Sequence, residues 1–302
     1  AVKTLKLGMV GGGQGAFIGG VHRMASRLDG RWELVAGALS SHPARAEASA
    51  KELGLDPKRS YQSYAEMAVQ EAARADGIDA VAIVTPNHMH AGPAIAFLEA
   101  GIHVICDKPL AATSEQAQLI DAAVRASKAH FILTHNYTGY PVIRQARKLV
   151  ENGELGEIRV IQAEYAQDWL SEAADNKQAD WRVNPEKSGA GAIGDIGTHA
   201  LNLASFVSGL QPQALCADLH SFVDGRRVDD NAHIMLRFEK GAKGMLWASQ
   251  VAGGCENTLT LRIYGEKAGL EWQQENPNQL SFTRFGQAKQ LLTRGGAGFG
   301  ET

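Results

Sequence analysis

The sequence predicts an α/β protein: a doubly wound parallel sheet at the N-terminus, followed by an α+β domain with a mostly antiparallel sheet. Three observations predict it. The chain opens on an apolar strand that runs into a glycine turn, Gly11-Gly12-Gly13-Gln14-Gly15-Ala16. Up to about residue 135, apolar runs rich in Val and Ile alternate with alanine-rich amphipathic stretches. Beyond Asn136, strand-like segments follow one another with only short turns between them.

Within the first 135 residues the apolar runs are Leu5–Val10, Leu34–Leu39, Ala80–Thr85, Ile102–Cys106 and Phe131–Thr134. Helical periodicity falls at Ala44–Leu53, Tyr64–Ala73, Ala91–Ala100 and Ser114–Ser127. Continuous apolar strands separated by helices describe a parallel sheet covered on both faces, and such sheets bind ligands beyond the carboxyl ends of their strands. Residues 136–302 form the second domain. A helix is expected near Pro141–Asn152, then strands at Ile158–Tyr165, Ala214–Phe222, Ala232–Phe238, Gly244–Ser249 and Thr258–Tyr264. Turns are expected at Gly153–Gly156, Glu239–Lys243 and Gly265. The glycine-rich tail from Arg294 has no periodicity and reads as a break in the chain.

Composition narrows the function classes. At 302 residues the chain has room for two domains, and 44% hydrophobic with 21% charged residues is ordinary for a soluble protein. A formal net charge of -3 argues against nucleic acid or an anionic membrane surface as partner. No apolar run approaches the roughly 20 residues of a membrane span. Cys106, Cys216 and Cys255 are scattered, so neither a disulfide framework nor a metal site is expected. With a strand expected from Val2 onward and no secretory signal visible, a cytoplasmic protein is the simplest expectation.

Gly11, Gly13 and Ala16 satisfy the G-x-G-x-x-G/A pattern, with Gln14 inside the turn. Gly11 is expected to permit the tight turn, Gly13 the approach of a pyrophosphate and Ala16 close helix–strand packing, with the helix N-terminus facing the phosphates. A strand before it and a helix after it give the pattern its specificity. The second strand ends in Ser40, Ser41 and, nearby, Arg45, where an NAD site usually carries an acid on the ribose 2′-hydroxyl. Hydroxyls and a guanidinium suit a 2′-phosphate, so NAD or NADP is expected, with NADP slightly favoured. The alternative is Ser40 bonding the ribose of NAD.

Two further strand ends carry unusual chemistry: Thr85-Pro86-Asn87 with His90, and Asp107-Lys108-Pro109. A lysine after a buried strand needs partners to offset its desolvation, so Lys108 is read as functional, against the alternative of a surface turn. The third constellation is a glycine-rich loop entering a helix, with Asp195 and His199 four residues apart on one face. The helix start disfavours a protonated His199 and Asp195 favours it, which suits a general base. Tyr165, Gln167 and Trp169 leave a strand, and Trp181 and Arg182 precede the glycine loop. Such aromatics, amides and guanidinium groups suit a polyol or sugar, with plain packing as the alternative. Asn136, Tyr137 and Tyr140 are weaker candidates.

Taken in order, the Val10–Gly13 turn, Thr85-Pro86-Asn87 with His90, Asp107-Lys108-Pro109 and Gly194-Asp195-Ile196-Gly197-Thr198-His199 make the chain resemble the Gfo/Idh/MocA oxidoreductases over essentially its whole length. Asp107 stands where that family usually has glutamate. The resemblance implies a Rossmann domain, then a domain on a large open sheet used for a homodimer or homotetramer, and a further C-terminal portion. It implies an NAD(P)-dependent dehydrogenase acting on a secondary alcohol of a sugar, cyclitol or derivative. His199 would take the hydroxyl proton, Lys108 would hydrogen-bond the same oxygen, and Asp195 would hold substrate or orient its neighbours. Thr85, Asn87, His90 and Asp107 would lie near the nicotinamide and its ribose, and the Lys108–Pro109 bond would be cis. Two other functions fit the same motifs. One is an NAD-dependent glycosidase of this fold, distinguished by product release without net redox change. The other is a non-catalytic dinucleotide sensor, which has no need of a base.

Overall fold

Strand β1 (Leu5–Gly11) lies inside the first sheet, with a neighbour on either side, and its residues 7–10 are buried. The computed structural model describes residues 3–173 and 177–296, with the side chains of 177 and 178 outside the described set, as are Val2 and the tail beyond 296. The chain divides into two compact units, one ending at Thr134 and the other beginning at His135.

In the first unit β1 is followed by α1 (Phe17–Arg27), β2 (Trp32–Ala38), α2 (Pro43–Glu52), α3 (Tyr64–Ala73), β3 (Ala80–Val84), α4 (Ala91–Glu99), β4 (His103–Cys106), α5 (Ser114–Ala126) and β5 (Phe131–Leu133). The parallel sheet has the order β2-β1-β3-β4-β5. The chain leaves β1 in one direction for β2 and returns on its other side as β3, so the crevice of a doubly wound sheet falls at the ends of β1 and β3. Gly11 pairs with Val84 there. One face packs Met67, Phe97, Leu98 and Ile120 against the sheet, and the other packs Leu39, Ala50 and Leu55. The helices start where the local chemistry dictates: Pro43 opens α2, Ser63 accepts the Glu66 N–H ahead of α3, and Thr113 accepts the Gln116 N–H ahead of α5.

The second unit runs through α6 (Pro141–Glu151), β6 (Ile158–Ala166), α7 (Lys177–Arg182), α8 (Pro185–Ser188), a π turn (Ile193–Gly197) and α9 (Thr198–Ser208). Strands β7 (Pro212–His220), β8 (Asn231–Phe238), β9 (Lys243–Ser249), β10 (Thr258–Gly265), β11 (Ala268–Gln273), β12 (Gln279–Arg284) and β13 (Gln290–Thr293) follow. Its eight-stranded sheet has the order β13-β12-β11-β10-β6-β9-β8-β7. The β6–β9 pair is parallel and its other pairs are antiparallel, in line with the expected mostly antiparallel sheet. Val142, Ile143, Leu203 and Val207 from α6 and α9 cover one face, meeting Ile161, Leu246 and Leu261. The alternation of β8, buried at Ile234 and Leu236 and exposed at His233 and Met235, leaves the opposite face open.

Three strands, β11 to β13, were not expected from the sequence. They are short and polar, and Ala268, Leu270, Trp272, Leu280 and Phe282 mark their buried side. The single helix expected around Asp195 is instead a π turn followed by α9: the Thr198 N–H donates to Ile193, five residues back. A wider turn changes which side chains stack, so Asp195 and His199 do not share the strict one-turn spacing of an α-helix. Among the described residues, no helix is long and apolar enough to cross a membrane.

Candidate dinucleotide and catalytic sites

The glycine turn at the end of β1 uses a left-handed backbone, with φ of 78° at Gly11 and 74° at Gly12, a region open chiefly to glycine. A Cβ on Gly13 would lie 2.6 Å from the Leu39 carbonyl oxygen. Gly13 donates its own N–H to that oxygen at 3.1 Å. The close approach expected of Ala16 is made elsewhere. Ala16 is the half-buried N-cap of α1, whereas a Cβ on Gly19 would come within 2.5 Å of Gly12 Cα. Gly19 is therefore the residue that lets α1 press on the turn.

Side chains behind the turn fix it further. Arg23 donates to the Gly12 carbonyl at 2.8 Å, and Ser49 accepts the Gln14 N–H at 3.0 Å. The Gln14 amide reaches Glu52 at 2.9 Å, so its side chain braces the turn against α2. A compact nest of backbone, with no room for side chains at positions 12, 13 or 19, and a helix starting beyond it fit a pyrophosphate. At the end of β2, Ser40 accepts the His42 N–H at 3.2 Å. Ser41 and Arg45 are exposed.

The ends of β3 and β4 are tied together by one histidine. His90 is 1% exposed. Its Nδ1 lies 2.9 Å from the Pro109 carbonyl and its Nε2 3.0 Å from the Thr85 carbonyl. Both ring nitrogens are engaged with backbone, so the His90 side chain braces these two strand ends. Burial lowers its pKa against the pull of those two carbonyls. Asn87 is also buried, in a short turn over Asn87–Met89, and the Thr85 hydroxyl donates to the Met89 carbonyl at 3.2 Å. Lys108 is followed by a cis bond to Pro109. Asp107 accepts the Thr134 hydroxyl at 2.8 Å and faces His22 Nε2 at 3.6 Å. Burial would raise the Asp107 pKa, but hydrogen bonds from His22 and Thr134, with Lys108 nearby, hold it below the usual carboxylate range. Neither His22 nor Thr134 carried a motif in the sequence.

In the second unit the π turn presents Asp195. Its Oδ2 receives Arg182 Nε at 3.2 Å and the Gln250 side-chain amide at 2.9 Å. Arg182 in turn lies over Trp181, 4.3 Å from the ring centroid, with Trp169 at 5.8 Å. His199, 6% exposed, packs edge-on to Tyr137 at 4.9 Å and to His135 at 5.5 Å between ring centroids. Tyr165 donates to Asn257 Oδ1 at 2.7 Å. A phenol has one proton, so the 2.6 Å contact between the Tyr137 and Tyr165 oxygens has Tyr137 as donor. Burial raises the Tyr165 pKa and keeps the phenol neutral.

That network reassigns part of the expected substrate set. Tyr165 is 3% exposed, and its hydroxyl serves Tyr137 and Asn257, so it seats His199 instead of reaching a substrate. Trp181 is the stacking floor of Arg182. Gln167 bonds Asn257 at 2.8 Å and accepts the Trp169 indole N–H at 3.0 Å. Trp169 keeps 38% of its surface exposed. Arg182 and Tyr137 stand with the carboxylate and imidazole, while Gln250 and Asn257 were missed: each is a lone polar residue at a strand end, without a pattern. Among the described residues no cluster of metal ligands occurs.

Comparison with known proteins gives consistent matches. A model of an oxidoreductase family with an NAD-binding Rossmann fold matches residues 5–137. A model of the GFO/IDH/MocA C-terminal domain matches residues 143–271. The crystal structure of an oxidoreductase from Sinorhizobium meliloti is 56% identical, with a TM-score of 0.92 over 99% of this chain and 80% of that one. An inositol dehydrogenase homolog from Azotobacter vinelandii, complexed with NADH and myo-inositol, is 39% identical, with a TM-score of 0.91 over 98% of this chain and 77% of the other. Levoglucosan dehydrogenase of Pseudarthrobacter phenanthrenivorans is 31% identical over 92% of this chain and 76% of its own.

Proposed function

The chain belongs to the GFO/IDH/MocA oxidoreductase family, and from that premise we propose that it oxidises a secondary alcohol of a sugar, cyclitol or derivative with NAD or NADP. The observation that carries this reading is the seat of Asp195 and His199: a carboxylate gripped by Arg182 and Gln250, and an imidazole walled by Tyr137 and His135. Rigid placement of this kind is what proton transfer to a positioned group requires. The relatives complexed with myo-inositol or named for levoglucosan support a polyhydroxylated ring as substrate class.

A bound nicotinamide supplies the hydride acceptor. The glycine turn would hold the pyrophosphate, and Lys108 would hydrogen-bond the alcohol oxygen, offsetting the negative charge that develops there. His199 accepts the hydroxyl proton. Asp195 accepts hydrogen bonds from neighbouring hydroxyls, a role its double grip keeps in register. Trp169, its indole N–H held by Gln167, offers a half-exposed apolar face of the kind a sugar ring packs on. Ser40, Ser41 and Arg45, with no acid in Leu39–Arg45, support acceptance of NADP beside NAD, with NADP slightly preferred. The open face of the second sheet, where Met235, Met245 and Tyr264 are 37–65% exposed, supports association of copies into a dimer or tetramer.

A panel of sugars and cyclitols incubated with each cofactor, followed by absorbance of the reduced nicotinamide, tests the proposal. Net cofactor reduction with at least one polyol is expected. Release of an aglycone without net reduction would overturn it.

A further inference from the structure

We propose that Asp229 is a positioning residue for Asp195, acting through the backbone of the turn that carries it; the inference rests on the oxidoreductase reading above. Its carboxylate straddles the start of that turn. Oδ1 accepts the Gly191 N–H at 2.9 Å and Oδ2 accepts the Ile193 N–H at 2.8 Å. The Asp229 carbonyl accepts the Ala192 N–H between them, also at 2.8 Å. Three successive N–H groups thus end on one residue 36–38 positions away in the chain. The contact is close enough to dictate a glycine, since a Cβ on Gly191 would lie 1.7 Å from the Asp229 carbonyl oxygen. Gly191 then accepts the Asp195 N–H at 2.9 Å, so the grip passes directly to the catalytic carboxylate's own backbone.

The next residue holds Asp195 from the other side. Asp230 is 1% exposed, and its carboxylate accepts the Phe222 and Val223 N–H groups and the Arg226 guanidinium at 2.9–3.2 Å. Anchored in this way, its carbonyl accepts the Gln250 N–H at 2.9 Å, and the Gln250 side chain is the donor on Asp195 Oδ2. One dipeptide therefore fixes the backbone beneath Asp195 and the side chain that orients it. A π turn has poorer intrinsic geometry than an α-helix, and a charged acceptor for its leading N–H groups supplies what the local sequence lacks.

Asp229→Asn keeps the shape but sets an amide NH2 against a backbone donor, leaving one N–H without an acceptor. The test measures amide hydrogen exchange of residues 191–199, together with kcat for Asp229→Asn in the wild-type and Asp195→Asn backgrounds. Exchange across 191–199 is expected to rise at least tenfold, with the Gly11–Ala16 turn unchanged. In the wild-type background kcat should fall roughly tenfold with the cofactor KM within about twofold. In the Asp195→Asn background the same substitution should change kcat by less than about twofold, the non-additivity of two residues acting as one. Unchanged exchange, or equal losses in both backgrounds, would overturn the proposal. If the wild type turns over no polyol with either cofactor, the oxidoreductase reading fails on its own, and the exchange measurement still decides the role of Asp229. Should Asp229→Asn not fold, Gln250→Met tests the second arm by the same kcat comparison, with equal losses in both backgrounds again the overturning result.

Discussion

Arg182 donates through Nε to Oδ2 of Asp195 at 3.2 Å while its guanidinium plane covers the Trp181 ring at 4.3 Å. A lysine cannot reproduce both contacts, because its ammonium neither stacks nor forks. Arg182→Lys and Arg182→Met are therefore expected to lower kcat to a similar extent, roughly tenfold to hundredfold, the scale of one charge-assisted hydrogen bond. Steady-state kinetics on both variants checks this. A lysine variant with wild-type kcat would show that charge alone suffices.

Gly13→Ala drives a methyl to within 2.6 Å of the Leu39 carbonyl oxygen and 2.8 Å of Ser49 Oγ. Relief requires β2 and α2 to move away from the turn. Thermal melts should show a loss of about 1–3 kcal/mol, and dinucleotide titration should show affinity weakened at least roughly tenfold.

Asp107 ties a strand end to Thr134 and His22. Its lowered pKa makes it a stabilising group at neutral pH, with the contribution present above the unfolded value of about 3.9 and lost as pH falls through the lower folded value. Chemical denaturation of wild type and Asp107→Asn should differ by about 2 kcal/mol at neutral pH. The two curves should converge in acid, below the usual carboxylate range. A difference that persists unchanged in acid would assign the effect to shape instead of charge.

Arg45 is exposed in the first turn of α2. Arg45→Ala is expected to lower kcat/KM with NADP about tenfold, as for a lost charged hydrogen bond, and to leave the NAD value within about twofold. Equal effects on both cofactors would remove Arg45 from any role at the 2′ position.

Much of the fold was legible in the sequence because its strands and helices carry local signals. Tyr64–Ala73 forms a helix over the expected residues, and the five strands of the first unit fall within two residues of expectation. The four motifs fall at the ends of β1, β3 and β4 and on the turn that carries Asp195. What they did not disclose is which atoms meet. His90 sits within a recognisable motif yet spends both ring nitrogens on Thr85 and Pro109, because burial forces every polar atom to find a partner. The close helix contact moved from Ala16 to Gly19, a choice made by the approach of Gly12. Gln250 and Asn257 reach Asp195 and Tyr165 across more than fifty residues of chain. No periodicity encodes such a pairing. The π turn was hidden too, since a glycine-rich stretch is compatible with several helical spacings.

The central claim is that His199, seated against Tyr137 and followed along α9, removes the proton from an alcohol. The most direct measurement compares His199→Asn with wild type on a polyol found active in the cofactor screen, recording kcat and, separately, the dissociation constant of the reduced cofactor. The account predicts a fall in kcat of roughly 10²–10⁴, the range of a lost general base, with cofactor affinity unchanged. Wild-type turnover by His199→Asn, with the cofactor still bound, would contradict it.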